Sequence, residues 1–190
     1  MTTLWLVRHG QTDWNLAGRW QGQAASAPPL NAAGREQARA LAGRLDMRQV
    51  TAVYSSDLLR AVETAKILTA GTGLVVQTDP RLREINLGVW EGMPTEAITT
   101  GYAAELDERR RDPVQARAPG GECAGDVAER VWAAADDIAR THPAGPVLVV
   151  SHGLALATLI CRGQSLGLET VYDQVPNNAH AIVIEWMPAA

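Results

Sequence analysis

The sequence predicts an α/β fold, a three-layer α/β/α sandwich around a mostly parallel central sheet. Short apolar runs alternate with amphipathic helical patterns along almost the whole chain of 190 residues. One run, Pro146 to Val150, is almost continuously apolar, as expected for a strand covered on both faces. The length suits a single domain with a sizeable core. Right-handed crossovers would then place helices on both faces of the sheet.

Each element is predicted from its own local pattern. Strands are short apolar or β-branched runs, and helices repeat apolar residues at three- and four-residue spacing. In chain order the predictions are a strand at 4–7, a helix capped by Asn31 with an apolar face over 38–45, a strand at 51–55, a helix at 57–68, a strand at 74–78, a helix at 126–141, a strand at 146–150, a helix at 153–161 and a strand at 181–186.

Composition excludes several classes of function. The net charge of −4 argues against broad electrostatic binding to nucleic acid or to an anionic membrane. The only lysine, Lys66, is not part of a Gly-Lys-Ser/Thr sequence, so a Walker phosphate loop is absent. Cys123 and Cys161 have neither metal-ligand spacing nor a secreted disulfide pattern. With no signal peptide and no apolar run long enough to span a bilayer, a cytoplasmic location is expected.

Three predicted strands end in basic residues. Arg8 and His9 follow the first strand, Arg60 lies in the first turn of the helix after the second, and His152 follows the strand at 146–150. Parallel α/β sheets bind ligands beyond the carboxyl ends of their strands. We therefore expect two arginines and two histidines to meet in one cationic crevice, with a helix N-terminus at Gly153.

This set of side chains fits a phosphate dianion, because guanidinium groups and helix N-termini both donate to phosphate oxygens. A neutral imidazole of His9 is a candidate nucleophile towards phosphorus. Glu84 follows the third strand at the same edge and is a candidate general acid for the leaving alkoxide. Charge stabilisation by Arg8, Arg60 and His152 would need no metal or other cofactor.

Four motifs in order resemble the phosphoglycerate mutase-like branch of the histidine phosphatases, over residues 3 to about 185. They read LVRHGQTDWN from residue 6, SSDLLRA from residue 55, LREINLGVWEG from residue 82 and SHG from residue 151. The resemblance implies one domain, 1–190, with a lid-like insertion at about 93–120. It also implies that His9 is transiently phosphorylated, that Arg8, Arg60 and His152 hold the phosphoryl oxygens, and that Glu84 transfers the proton.

By the same resemblance, Asn15, Gln21, Gly22 and Gly153 would contact the substrate. The expected partner is a small-molecule phosphate ester, with neither nucleic acid nor membrane, and an exposed edge strand leaves a homodimer open. The resemblance implies a metal-independent phosphomonoesterase. A cofactor-dependent phosphoglycerate mutase is the alternative enzyme, although residues 93–120 are short for a mutase lid. A phosphate-binding module without catalysis is the alternative of another class.

Several assignments stay open at this point. Arg60 has an alternative as an ion-pair partner of Glu63 or Asp57 on its own helix. Glu91 and Glu122 compete with Glu84 for the role of acid. Cys123 stands where the family often has serine, which leaves the role of that turn open. The run 109–111, three arginines, fits either a solvated helix face or a lid that attracts acidic substrates.

Overall fold

The computed structural model describes residues 1–189 and contains one five-stranded sheet among them. The strands are β1 (Thr2–Arg8), β2 (Ala52–Ser55), β3 (Val76–Thr78), β4 (Val147–Ser151) and β5 (Ala181–Trp186), in the spatial order β3-β2-β4-β1-β5. The first four run parallel, while β5 pairs antiparallel with β1 at one edge. The predicted α/β fold with a mostly parallel sheet is therefore confirmed.

Seven α-helices connect the strands within the described part of the chain. They are α1 (Asp13–Leu16), α2 (Ala32–Ala42), α3 (Leu59–Leu68), α4 (Thr95–Gly101), α5 (Ala103–Arg111), α6 (Ala124–Thr141) and α7 (Gly153–Gly163). Short 3₁₀ helices occupy 47–49, 80–82, 88–90 and 168–174. Helices α4 and α5 lie within the segment 93–120. No helix of residues 1–189 is long and apolar enough to cross a membrane.

Helices cover both faces of the sheet. On one face, Leu4 and Leu6 of β1 and Val147 of β4 belong to a core shared with α6 and α7. On the other, Leu148 and Val150 of β4 belong to a second core with α3. Alternate residues of β4 thus enter different cores, which explains its continuous apolar sequence.

Element boundaries differ from the sequence prediction for local reasons. Strand β3 begins at Val76 rather than residue 74, and Val75 before it is largely exposed. Helix α3 begins at Leu59 rather than residue 57, because the backbone of Leu58 before it is extended. Helix α6 begins two residues early, because Cys123 caps it.

The loop after β1 is held by backbone-to-backbone contact with α2. Asn31 caps α2 as predicted, accepting a hydrogen bond from the Gly34 N–H at 2.8 Å. A Cβ atom at Gly34 would lie 2.0 Å from the Gln11 carbonyl oxygen, and one at Gly10 would lie 2.4 Å from the Gly34 carbonyl oxygen. Only glycine permits this approach, which fixes the chain immediately after His9.

Replacing Gly34 with alanine should therefore destabilise the protein. We expect Gly34→Ala to lower the free energy of unfolding by about 1–3 kcal/mol, since the backbone of the loop must move away. Gly43→Ala is the matched control: Gly43 ends the same helix, and its Cβ would meet nothing closer than 3.7 Å. Urea unfolding of both variants measures the difference. Equal stabilities would contradict the predicted clash.

Candidate active site

A cavity of about 330 Å³ opens where the predicted basic residues meet. Its lining includes four of the five predicted catalytic residues and all four predicted substrate contacts, namely Arg8, His9, Arg60, Glu84, Asn15, Gln21, Gly22 and Gly153. The fifth, His152, is fully buried rather than part of the lining, with its ring centroid 5.2 Å from that of His9. Ends of β1 and β4 and starts of α3 and α7 thus supply one site.

The two nitrogens of the His9 ring have different hydrogen-bond roles. Its Nδ1 lies 2.7 Å from the Gly10 carbonyl oxygen, which can only accept, so Nδ1 carries the hydrogen and Nε2 the lone pair. The Arg60 Nε–H donates to Nε2 at 3.3 Å. Burial, followed by the charges of Arg60 and Arg8, lowers the pKa of His9 well below its ordinary value. The imidazole is therefore neutral at physiological pH and presents Nε2 to a ligand.

The Arg60 side chain lines the cavity and does not form an ion pair along its own helix. It is 3% exposed, and it also donates to the Gly22 carbonyl oxygen at 2.8 Å. Gly22 has a positive φ of 49°, which glycine tolerates. The alternative ion pairs are wrong, because Glu63 binds Arg35 and Asp57 binds Arg83. Burial lowers the pKa of Arg60 to about 10, so it stays charged.

Arg8 is half-buried at the end of β1. One of its terminal nitrogens donates to the Pro176 carbonyl oxygen at 2.7 Å, while its buried Nε has no partner among the described residues. Burial lowers its pKa, and the nearby charge of Glu84 opposes that effect. Arg8 and Arg60 thus place two cations beside His9 with donor capacity for an anion.

The Glu84 carboxylate lies over the start of α7. It accepts hydrogen bonds from the backbone N–H groups of Ile85 at 2.9 Å, Leu154 at 3.2 Å and Ala155 at 3.3 Å. The sequence led us to expect that this helix N-terminus would donate to phosphate. In the structure Glu84 occupies the Leu154 and Ala155 N–H groups. A Cβ at Gly153 would lie 3.4 Å from the carboxylate and 3.5 Å from the Arg8 guanidinium carbon.

The two rival carboxylates have other partners. Glu91 accepts from the backbone N–H groups of Gln23 and Leu87, and Glu122 pairs with Arg130 at 2.8 Å. Neither belongs to the cavity lining. Arg130 also donates to the Glu84 carbonyl oxygen at 2.9 Å. Sequence reasoning missed this anchoring arginine, which lies in the middle of α6 without a motif to mark it.

The cavity mouth carries side chains from the lid-like segment. Arg109 of α5 lies over the Tyr172 ring at 4.3 Å and the Trp20 ring at 5.2 Å, and all three line the cavity. Arg110 instead pairs with Asp107 on the exposed surface of the same helix. Of the two interpretations of the arginine run, Arg109 fits a lid over the site and Arg110 fits a solvated helix face. Sequence reasoning missed Tyr172, which lies in the 3₁₀ helix 168–174, where no periodic pattern indicates burial.

The thiol of Cys123 takes the place of a capping hydroxyl. It accepts from the Asp126 N–H at 3.4 Å, and the Asp126 carboxylate accepts from the Cys123 N–H at 2.9 Å. Asn15 and Thr12 form a similar reciprocal pair of hydrogen bonds at the start of α1. Asn15 also lines the cavity. Gln21 also faces the cavity, and its buried Oε1 has no partner among residues 1–189.

The arrangement combines a neutral imidazole, two guanidinium groups and one carboxylate around a small cavity, with a second, fully buried imidazole against the first. Fork-shaped donors of this kind bind a tetrahedral oxyanion. The unprotonated Nε2 of His9 can accept a phosphoryl group in place of the Arg60 N–H. Within residues 1–189, no three or more histidine, cysteine, aspartate or glutamate side chains are grouped so as to hold a metal ion.

Comparison with known proteins agrees with this geometry. The model of the histidine phosphatase superfamily (branch 1) matches residues 4–189. A probable phosphoglycerate mutase, GpmB, of Yersinia pestis (strain Pestoides F) is 41% identical over 164 residues, which cover 84% of this chain and 74% of that protein.

Two solved phosphatases have the same fold. A mycobacterial glucosyl-3-phosphoglycerate phosphatase in complex with VO3 superposes with a TM-score of 0.87 and 35% identity, covering 96% of this chain and 92% of that one. The α-ribazole phosphatase of Shigella flexneri gives a TM-score of 0.86 and 29% identity, covering 97% and 90%.

The two buried imidazoles predict a loss of stability in mild acid. Burial lowers the pKa of both His9 and His152 well below 6.5, so each binds a proton only after unfolding. Protons then favour the unfolded chain as pH falls below about 6.5, and carboxylates contribute little above about pH 5. We expect the free energy of unfolding to fall by up to about 1.4 kcal/mol per pH unit for each histidine in that window.

Urea unfolding at about pH 5, 6 and 7 measures this slope. The variant His152→Gln should show about half of it, because one of the two titrating groups is gone. A wild-type stability that does not change between about pH 7 and 5 would contradict the assignment of neutral buried imidazoles.

Proposed function

The chain belongs to branch 1 of the histidine phosphatase superfamily, and from this premise we propose that it is a metal-independent phosphomonoesterase that hydrolyses small phosphate esters through a phosphohistidine. One observation carries the proposal. His9 Nε2 is an unprotonated imidazole nitrogen, set by the Nδ1 contact to Gly10, inside a cavity that Arg8 and Arg60 make positive.

In the first step the ester places its phosphoryl oxygens among Arg8, Arg60 and His152. His9 Nε2 forms a bond to phosphorus as the bond from phosphorus to the ester oxygen breaks. The Arg60 Nε–H gives up its hydrogen bond to Nε2 as the bond to phosphorus forms. Both guanidinium groups then stabilise the charge on the equatorial oxygens. The leaving alkoxide takes a proton from the Glu84 carboxyl group, which the backbone N–H groups of Ile85 and Leu154 hold in position.

In the second step the roles of Glu84 reverse. Its carboxylate takes a proton from a water molecule, whose oxygen attacks phosphorus as the bond to His9 Nε2 breaks. Inorganic phosphate leaves, and His9 and Glu84 return to their starting states. The Nδ1–H bond to Gly10 persists through both steps and stabilises the positive charge that the ring carries while it is phosphorylated.

Several further assignments are part of the same proposal. Asn15, Gln21, Gly22 and Gly153 would form the substrate-contacting wall, since all four line the cavity. Residues 93–120 would act as the lid of a single domain, with Arg109 at its inner face. A cytoplasmic location and a small-molecule partner remain predictions from the sequence, as does a homodimer.

A phosphoglycerate mutase is the second candidate, favoured by the name of the Yersinia pestis relative. A mutase must protect its phosphohistidine from water, which calls for a longer cover than the two short helices α4 and α5 provide. Hydrolysis is therefore ranked first. Incubation with 3-phosphoglycerate decides: release of inorganic phosphate supports the phosphatase, whereas isomerisation much faster than release supports the mutase.

Removal of the nucleophile should abolish turnover. We expect His9→Ala to reduce phosphate release from 4-nitrophenyl phosphate by about a thousandfold or more. In the wild type, mass spectrometry of a mixture quenched during turnover should find the phosphoryl group on His9. Wild-type activity in the variant, or label on another side chain, would overturn the mechanism. Tight phosphate binding by a wild type that hydrolyses no ester would favour the non-catalytic module.

Glu84→Gln should discriminate between leaving groups. Alkyl phosphates need a proton on the departing oxygen, whereas 4-nitrophenolate leaves without one, so kcat should fall at least about tenfold more for the alkyl ester. Glu91→Gln is the control, because that residue lies nearby but outside the cavity lining, and its carboxylate accepts backbone hydrogen bonds from Gln23 and Leu87. Equal losses for both substrates in Glu84→Gln would exclude Glu84 as the proton donor.

A further inference from the structure

The second buried imidazole has a hydrogen-bond partner that the motif comparison does not assign. His152 Nε2 lies 2.8 Å from the hydroxyl oxygen of Ser56, and both residues are fully buried. Ser56 directly follows β2, and His152 directly follows β4. These two strands are neighbours in the sheet. The serine and the imidazole are thus brought together by the pairing of two parallel strands.

The direction of this hydrogen bond follows from counting hydrogens. A serine hydroxyl has one hydrogen and two lone pairs. The Leu58 backbone N–H donates to the Ser56 oxygen at 3.2 Å, which uses one lone pair. Among the described residues, His152 Nε2 is the only other hydrogen-bond partner of that oxygen. If Nε2 were the donor, both the hydroxyl hydrogen and the Nδ1 lone pair would be buried without a partner, whereas a donating hydroxyl leaves only the Nδ1–H unpaired, which costs less. The hydroxyl therefore donates to Nε2.

This direction fixes which tautomer His152 adopts. Since burial and the charges of Arg60 and His9 lower the pKa of His152, the ring is neutral and has a single N–H. With Nε2 accepting, that hydrogen lies on Nδ1. Nδ1 is itself buried and has no partner among residues 1–189. A donor without an acceptor, on a ring 5.2 Å from the His9 ring, suits a phosphoryl oxygen.

We propose that Ser56 is a positioning residue that holds His152 in the tautomer with hydrogen on Nδ1, so that the ring donates to the phosphoryl group rather than directing a lone pair at it. Neither residue is part of the cavity lining, but the His152 ring packs against that of His9, which is, whereas the Ser56 hydroxyl bonds to the His152 ring. Ser56 therefore acts through His152. The inference rests on the proposed function for its benefit to catalysis, but the tautomer and the affinity for phosphate are measurable without turnover.

The test compares Ser56→Ala with Ser55→Ala. Ser55 is the adjacent residue and equally buried, but its hydroxyl donates to the Ser56 carbonyl oxygen instead of to an imidazole. Nitrogen-15 NMR of the four histidines reads the protonated nitrogen of each ring, with His152 assigned by its loss in His152→Gln. We expect hydrogen on Nδ1 of His152 in the wild type and in Ser55→Ala, and a mixture of tautomers in Ser56→Ala.

Affinity for inorganic phosphate should follow the tautomer. If only part of Ser56→Ala has the donor on Nδ1, its Kd should rise about three- to tenfold, because the apparent affinity falls with the competent fraction. Ser55→Ala should stay within about twofold, and Ser56→Thr, which keeps the hydroxyl, should retain both tautomer and affinity.

Three results would overturn the inference: hydrogen on Nε2 of wild-type His152, an unchanged tautomer and Kd in Ser56→Ala, or an equal rise in Kd in Ser55→Ala. If Ser56→Ala does not fold, the wild-type spectrum and Ser56→Thr decide. If tautomer and phosphate affinity behave as expected but no ester is hydrolysed, the proposed function fails while the role of Ser56 stands.

Discussion

The site depends on the burial of positive charge with little compensation. Arg60 is almost inaccessible and Arg8 half-buried, and Glu84 is the carboxylate that reaches the cavity they line. The two guanidinium cations outweigh the single carboxyl group, so the empty cavity is positive. With Glu84 carrying the proton that the proposed mechanism transfers, a phosphate dianion balances the two cations. Burial in the first place, and the same positive charges in the second, lower the pKa of His9 and His152 and keep both rings neutral. The buried cations thus contribute both to ligand affinity and to the state of the nucleophile.

Much of the site could be predicted from the sequence, because local patterns identify the strands and the parallel sheet determines where the residues after them lie. The apolar runs before Arg8 and His152 are strong strand signals, and parallel strands bring the residues after them to one edge of the sheet. Glu84 comes after the third strand by the same logic. The antiparallel β5 was found as a strand from its composition, but its direction was not, since no local pattern distinguishes the two orientations.

The residues that sequence reasoning missed depend on contacts between segments distant in the chain. Arg130 reaches from α6 to the carbonyl oxygens around Glu84, and Tyr172 meets Arg109 across the cavity mouth. Neither has a periodic or motif context that separates it from other arginines and tyrosines. The use of the α7 N-terminus by Glu84 was also missed, because a helix start looks equally available to any nearby anion until the coordinates show which one occupies it.

The place of β1 in the sheet has a consequence for biosynthesis. His9 follows a strand whose two neighbours, β4 and β5, lie more than a hundred residues further along the chain. A ribosome that has not yet reached β4 has made the nucleophile, but neither of the strands that flank it. The reactive centre therefore assembles only after both β4 and β5 have been translated. A chain terminated before β4 would contain His9, Arg8 and Arg60 without a pocket around them.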